Sequence, residues 1–184
     1  IESIRKYTPA GSYEIIVIDN ASQDESVEWL KEQTDIRLVC NEENRGFPAG
    51  CNQGMAMGEQ GNDILLLNSD TIVTPRWLEN LQIALYSEPK VGAVSCITSN
   101  CSNWQQIDVK YETYDELMDF AEKMNHSNPE LWEVRPKLVG FCYLIKNEAY
   151  KIVGVLDERY SPGNYEDNDY SLKLIMAGYK LLVC

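Results

Sequence analysis

The stretch that most constrains this chain is Ile64-Leu65-Leu66-Leu67 followed by Asn68-Ser69-Asp70. Four large apolar residues in a row, closed by turn-forming residues, predict a strand covered on both faces. Such a strand belongs inside an α/β sheet, and a carboxylate at its carboxyl end stands at the rim where these sheets bind ligands. Asp70 at that rim, with an amide two residues earlier, suits a hard divalent cation, which takes oxygen ligands. The competing reading is a plain turn in which Asp70 bonds its own backbone.

The rest of the chain supplies the context. Residues 13–19 form a β-branched run ending in Asp19, a second predicted strand. Ser22 and Glu25 have capping-box spacing and predict a helix carrying Val27, Trp29 and Leu30. A strand over 36–40 follows, and strand–helix–strand alternation implies right-handed parallel crossovers. The expected fold is therefore α/β, with a mostly parallel central sheet flanked by helices. Further strands are predicted over 91–97, 137–146 and from 181 to the chain end. Thr74-Pro75 predicts one more helix start, and Thr113 with Glu116 a second capping box. Residues 98–112 are polar and read as a loop. Gly154 and Gly178 are placed to end helices over 149–153 and 166–177. Gly50, Gly54 and Gly58 recur every four residues, so one helix face lacks side chains. Glycine weakens a helix, and such a stripe calls for the close approach of another backbone or of a ligand.

Length and charge exclude some classes. A chain of 184 residues fits one domain, here residues 1–184. Its net charge of −13 argues against a nucleic-acid partner, and an acidic chain that holds a diphosphate needs help from a cation. No apolar run is long enough for a transmembrane segment. The six cysteines form no CxxC pair and read as reduced, buried thiols of a cytoplasmic protein. The one histidine, His126, lies in a polar stretch, which argues against zinc. Ile1 and Ile4 read as the last turns of a helix that starts earlier, and residues 181–184 stop within a strand. The expectation is a domain truncated at both ends.

Acids mark three places: Asp19, Asp70, and the group Glu166, Asp167 and Asp169 at a helix start. Favourable interaction with the helix dipole accounts for one acid in a first turn better than for three. Carboxylates at strand ends and at a helix start can converge on one cleft as metal ligand and general base. Asp167 and Asp169 point to different sides, since two helical residues span about 200°.

With these segments in order, the chain resembles the catalytic domain of family 2 glycosyltransferases, which have the GT-A nucleotide-diphospho-sugar transferase fold. The resemblance rests on Asp19-Asn20-Ala21-Ser22-Gln23-Asp24 and on Asn44-Arg45-Gly46-Phe47 with Gly50, Asn52 and Gly54. It continues through Leu66 to Asp70, Leu156-Asp157-Glu158, Glu166-Asp167-Asn168-Asp169 and Gly178-Tyr179. The form of the segment at 44–47 and the Asn-x-Asp motif at 68–70 are similar to the rhamnosyltransferase-like branch, which acts on cell-surface polysaccharides. In that family a first, central strand precedes the segment seen at Ile1.

The resemblance implies roles. Asp19 would hold the nucleotide base or ribose, with Asn20 beside it. Asn44, Arg45, Gly46 and Asn52 would line the nucleotide-sugar pocket, together with Asn68. Asn68 stands where the family has the first acid of its metal motif, leaving Asp70 to bind Mg²⁺ or Mn²⁺. Asp167 would be the general base, with Glu166 and Asp169 on the acceptor side. The reaction would be an inverting transfer from a nucleotide-diphosphate sugar to a hydroxyl of a glycan or lipid-linked acceptor, in the cytoplasm or at the inner face of the membrane. The alternatives are a non-catalytic GT-A-like binding module and a nucleotidyltransferase, the latter wanting a basic glycine-rich loop that this sequence lacks.

Overall fold

The computed structural model describes residues 1–101 and 104–184. Helix α1 (Glu2–Tyr7) leads into strand β1 (Ile15–Asp19), and α2 (Ser26–Lys31) returns the chain to β2 (Ile36–Cys40). β1 and β2 pair in parallel, from Ile15 opposite Ile36 to Asp19 opposite Cys40. Helix α3 (Phe47–Met57) crosses to β3 (Ile64–Leu67), and α4 (Trp77–Leu85) to β4 (Val91–Ser95). After α5 (Tyr114–Met124) come the short β5 (Glu133–Val134), then β6 (Cys142–Ile145), α6 (Asn147–Val153), α7 (Glu166–Met176) and β7 (Lys180–Val183).

The last five strands form one mixed sheet in the order β3-β6-β4-β7-β5. β3, β4 and β7 run one way, and β6 and β5 run against them. All residues of β4 and β6 are buried, because both strands have neighbours on each edge and helices over each face. One face packs on Ala149, Leu156, Tyr170 and Leu174, the other on Trp77, Leu81, Ala84 and Leu85. Each fully buried aliphatic side chain there contributes about 1.5–3 kcal/mol. The buried phenols are satisfied: Tyr143 and Ser171 hydroxyls lie 3.0 Å apart, and Tyr170 donates to the Gly154 carbonyl at 3.0 Å.

β3 departs from the expectation of a strand covered on both faces. All four of its residues are only half-buried, as are Ile15 to Ile18 of β1. The cause is pairing: among the described residues β1 pairs only with β2, and β3 only with β6.

Several boundaries differ from the sequence reading. α2 starts at Ser26 and not after Ser22, whose N–H donates instead to the Asp19 carboxylate at 3.2 Å. α4 starts at Trp77, two residues after Pro75. Arg76 takes a left-handed conformation there (φ 64°), and its guanidinium donates to the Asn125 carbonyl at the end of α5, at 2.8 Å. The predicted strand over 137–146 shrinks to β6, because the N–H groups of 138–140 bond to side chains and not to a neighbouring strand. The Thr113–Glu116 capping box is present, and Gly154 and Gly178 follow helix ends with φ of 77° and 89°.

The glycine stripe is answered by β1. A Cβ on Gly50 would lie 3.1 Å from Asn20 Nδ2, and one on Gly54 3.5 Å from Ile18 Cγ1. Gly58 already lies beyond α3. Of the six cysteines Cys142 is buried, Cys40 is exposed and the other four are of intermediate burial, so they are less buried than the sequence suggested. No helix among the described residues is long and apolar enough to cross a membrane.

Candidate functional site

The carboxyl end of β1 is built from amide side chains. Asp19 is buried and accepts from Ser22 N–H, closing the turn after the strand. Asn20 donates to the Gly46 carbonyl at 3.1 Å and accepts from Asn41 Nδ2 at 2.8 Å, and Asn41 Nδ2 also reaches Gln53 Oε1 at 3.0 Å. Asn44 Oδ1 accepts from Gly46 N–H at 2.9 Å, folding the 44–46 turn on itself. Gly46 has φ +83°, and a Cβ there would lie 2.2 Å from Ser161 Oγ and 3.1 Å from Pro162 Cα. Phe47 N–H donates to the Pro162 carbonyl at 2.7 Å, and Ser161 Oγ to the Arg45 carbonyl at 3.3 Å. The segment 44–47 is thereby seated on 161–163, with the Arg45 residue exposed.

Asn52, expected to line the pocket, is buried in α3. Its amide brackets Leu156, donating to the carbonyl and accepting from the N–H, both at 2.9 Å. It donates again to Glu158 Oε1 at 3.0 Å. This fixes the segment that runs from Leu156 toward α7.

The acidic side is assembled on two consecutive residues. Gly140 N–H donates to Asp167 Oδ2 at 3.1 Å, and the Phe141 carbonyl accepts from Asn68 N–H at 2.9 Å. The first turn of α7 and the carboxyl end of β3 therefore meet at one place. A Cβ on Gly140 would lie 3.6 Å from Asp167 Cβ and 3.9 Å from Phe47 Cε1, so the 44–47 segment borders the same spot. Asp167 Oδ1 also accepts from Asn168 N–H at 2.7 Å. Asp70 lies exposed on the turn after β3.

The other two acids of α7 behave differently. Asp169 Oδ2 lies 2.8 Å from Lys173 Nζ, an ion pair one turn along the helix. Glu166 is 7% exposed, and its Oε2 has no hydrogen-bond partner among the described residues. Burial pushes its carboxyl above the usual range, and the nearby Asp167 charge adds to this. Burial and the Glu166 charge together push the Cys51 thiol up to about 12. In the segment between Asn52 and α7, Arg159 beside Asp157 pulls that carboxyl down to about 2.

The donor set at the β3 tip is oxygen only: the Asp70 carboxylate and the Asn68 amide. Among the described residues no three His, Cys, Asp or Glu side chains gather into a cation cage. A cation here would take most of its ligands from water and from a bound diphosphate, which is how Mg²⁺ is commonly held. The residues present fit that kind of ion. A cavity of about 520 Å³ lies elsewhere, lined by Ile83, Trp132, Val134 and Leu182 among others, and none of the predicted site residues borders it.

Sequence reasoning missed Gly140, Gln105 and Ser171, and gave no role to Glu158; these hold the site residues or their supports. One signal was available: a lone glycine inside an apolar run marks close backbone approach.

The family model described as "Glycosyl transferase family 2" matches residues 1–150. This chain belongs to glycosyl transferase family 2. Among curated proteins, the uncharacterized protein y4gI of Sinorhizobium fredii is 25% identical over 197 residues, covering 97% of this chain. The chain spans 21% of that relative's length. Among solved structures, GalNAc-T7 with UDP, GalNAc and Mn²⁺ superposes with a TM-score of 0.73 at 17% identity, over 98% of this chain and 38% of that one. The mannosyltransferase PcManGT of Pyrobaculum calidifontis, in complex with GDP-Man and Mn²⁺, gives 0.64 at 21% identity, over 100% of this chain and 51% of that one. S. aureus TarS 1-349 gives 0.65 at 15% identity, over 100% and 52%. At these identities the family 2 chain shares their glycosyltransferase fold, and it spans from 38% to 52% of their length.

Proposed function

We propose that this family 2 domain forms the donor-binding and catalytic part of a glycosyltransferase that moves a sugar from a nucleoside-diphosphate donor to an acceptor hydroxyl with inversion. The observation that carries the proposal is the junction at Gly140-Phe141, which sets the Asp167 carboxylate beside the carboxyl end of β3. Two neighbours with the same fold carry a nucleotide or nucleotide sugar together with Mn²⁺, which supports the same kind of donor here. The Asn44-Arg45-Gly46-Phe47 segment supports a rhamnosyltransferase-like role in cell-surface polysaccharide synthesis.

In this reading Asp167 takes the proton of the acceptor hydroxyl as its oxygen attacks the anomeric carbon. The bond to the diphosphate oxygen breaks on the opposite side, and the centre inverts. Two main-chain N–H groups hold the Asp167 carboxylate in place, so little reorientation is needed when the acceptor arrives. Asp70 would hold Mg²⁺ or Mn²⁺, whose chemistry there is to offset charge on the departing diphosphate. Arg45, exposed beside the 44–46 turn, is available to the same anion.

Isothermal titration of UDP, GDP and dTDP into the full-length protein tests the donor half. At least one should bind, and only with Mn²⁺ or Mg²⁺ present. Asp70→Ala should weaken that binding by about tenfold or more, a loss of about 1.4 kcal/mol. Asp167→Asn should lower transfer by about 10²–10⁴-fold and leave nucleotide affinity near normal. No binding of any of the three nucleotides in the presence of metal would remove the basis of the proposal. Metal-dependent binding without transfer in the unmodified protein would favour a non-catalytic binding module, a reading that Asn68 supports.

A further inference from the structure

We propose that Gln105 is a positioning residue for Asp167, acting through the main chain of Val139 and Gly140 and tying the segment after β4 to the base. It rests on the reading of Asp167 as the general base of the transfer.

Gln105 lies in the polar segment 98–112, yet it is 2% exposed. Its Nε2 donates to Ser95 Oγ at 2.8 Å and to the Cys96 carbonyl at 3.0 Å, at the end of β4. Its Oε1 accepts from Val139 N–H at 2.8 Å. The next N–H along the chain, that of Gly140, is the one that holds Asp167 Oδ2 at 3.1 Å. The preceding one, that of Leu138, donates to Ser171 Oγ at 3.1 Å. Three consecutive N–H groups that a regular strand would offer to a neighbouring strand are thus taken by three side chains. Two of these come from α7 and one from the loop.

This arrangement fixes the main chain over 138–140, which carries the Gly140 N–H, from two sides. Ser171 and Asp167 hold it from α7, one turn apart, and Gln105 holds it from the side of β4. A loss of the Gln105 acceptor leaves the half-buried Val139 N–H unpaired unless the backbone turns away. If it turns, the Gly140 N–H turns with it, and Asp167 loses one of the two main-chain donors that set its carboxylate. The main chain of Gln105 is bound as well: Thr98 N–H donates to the Gln105 carbonyl at 2.8 Å, and Ile107 N–H returns to the Thr98 carbonyl at 2.9 Å. A displacement of Gln105 would therefore reach the base.

Amide hydrogen exchange measured by NMR tests the link in three variants. In Gln105→Met, exchange at Val139 and Gly140 should accelerate about tenfold or more, while Val94 and Leu182 in the same sheet stay within about twofold. Gln105→Glu keeps the acceptor oxygen for Val139 N–H but gives up the donors to Ser95 and Cys96, so exchange at Gly140 should accelerate less than in Gln105→Met. A purely structural role would speed exchange at Val94 and Leu182 as much as at Gly140, and that result would overturn the proposal, as would an unchanged Gly140. If Gln105→Met does not fold, Asp167→Ala decides: removing the Gly140 acceptor should speed exchange at Val139 as well as at Gly140 by about tenfold or more. A Val139 amide that stays within about twofold while Gly140 accelerates would refute the coupling. UDP or GDP binding with Mn²⁺ should be the same in Gln105→Met as in the unmodified protein. If the unmodified protein binds neither nucleotide, the transfer reading falls while the exchange data still judge the link.

Discussion

β1 and β6 are built from similar material and end in different states. Ile15-Ile16-Val17-Ile18 is half-exposed throughout, whereas Cys142, Tyr143, Leu144 and Ile145 are exposed by 3% at most. β6 has β3 on one edge and β4 on the other, and among the described residues β1 has only β2. An apolar run therefore specifies a strand, but the number of neighbours decides how much of it leaves water. The two regions are also held by different means. Around β6 the support is close packing of side chains on both faces of the sheet. Around β1 it is hydrogen bonding by Asn20, Asn41, Asn44 and Gln53 among neighbouring elements, with Asn52 tying α3 to Leu156 far along the chain.

The sharpest way to break this comparison is a pair of truncations. Leu144→Ala removes a buried side chain from a strand with no room to collapse, and should cost about 2–5 kcal/mol in urea or thermal unfolding. Val17→Ala in half-exposed β1 should cost about 1 kcal/mol, because part of that surface never left water. Equal losses would show that β1 is buried by something its pairing does not reveal.

The next effect is on the polar side. Gly46→Ala places a methyl group against Ser161 Oγ and Pro162 Cα at a residue with φ +83°. Left-handed backbone alone costs an alanine about 1–2 kcal/mol, and relieving the clash must lift 44–47 from 161–163. A loss of about 2–3 kcal/mol is expected, accompanied by weaker nucleotide binding. Unchanged stability would mean that this seam does not hold the two segments together.

These contrasts also explain how far the sequence could be read. β1, β3 and α7 were legible because their signals are local: an apolar run, a turn, a closing glycine at 178. The capping box at Thr113 was legible for the same reason. The start of α4 was not, since Arg76 is fixed by Asn125 and Glu122, nearly fifty residues away. The length of β6 was misjudged because Leu138, Val139 and Gly140 have the composition of a strand, while their N–H groups serve Ser171, Gln105 and Asp167. The same limit applies at the site. Asp167 at a helix start could be picked from sequence, but the commitment of Asn52 to Leu156, 104 residues away, has no local trace.

The smallest effect sharpens the comparison from the acidic side, through Glu166. The polar groups around β1 are paired, but Glu166 is buried with Oε2 lacking a partner among the described residues. Burial raises its pKa above the ordinary 4.5, so the folded chain holds this proton more tightly than the unfolded chain does. The stability that follows is fully present below about pH 4.5, where both states are protonated. It is lost as pH rises through the folded value, because the native state must then carry a buried carboxylate beside Asp167. Glu166→Gln keeps the shape and removes the charge. It should stabilise the protein at pH 8 by about 1 kcal/mol, or about 3 °C in Tm for a chain of this size. Thermal melts from pH 8 down to pH 4 should show that gain shrinking toward zero. A loss at pH 8 that fades on acidification would mean the opposite: that the Glu166 carboxylate is paired when ionised, and that the acidic turn is as well satisfied as the amide network around β1.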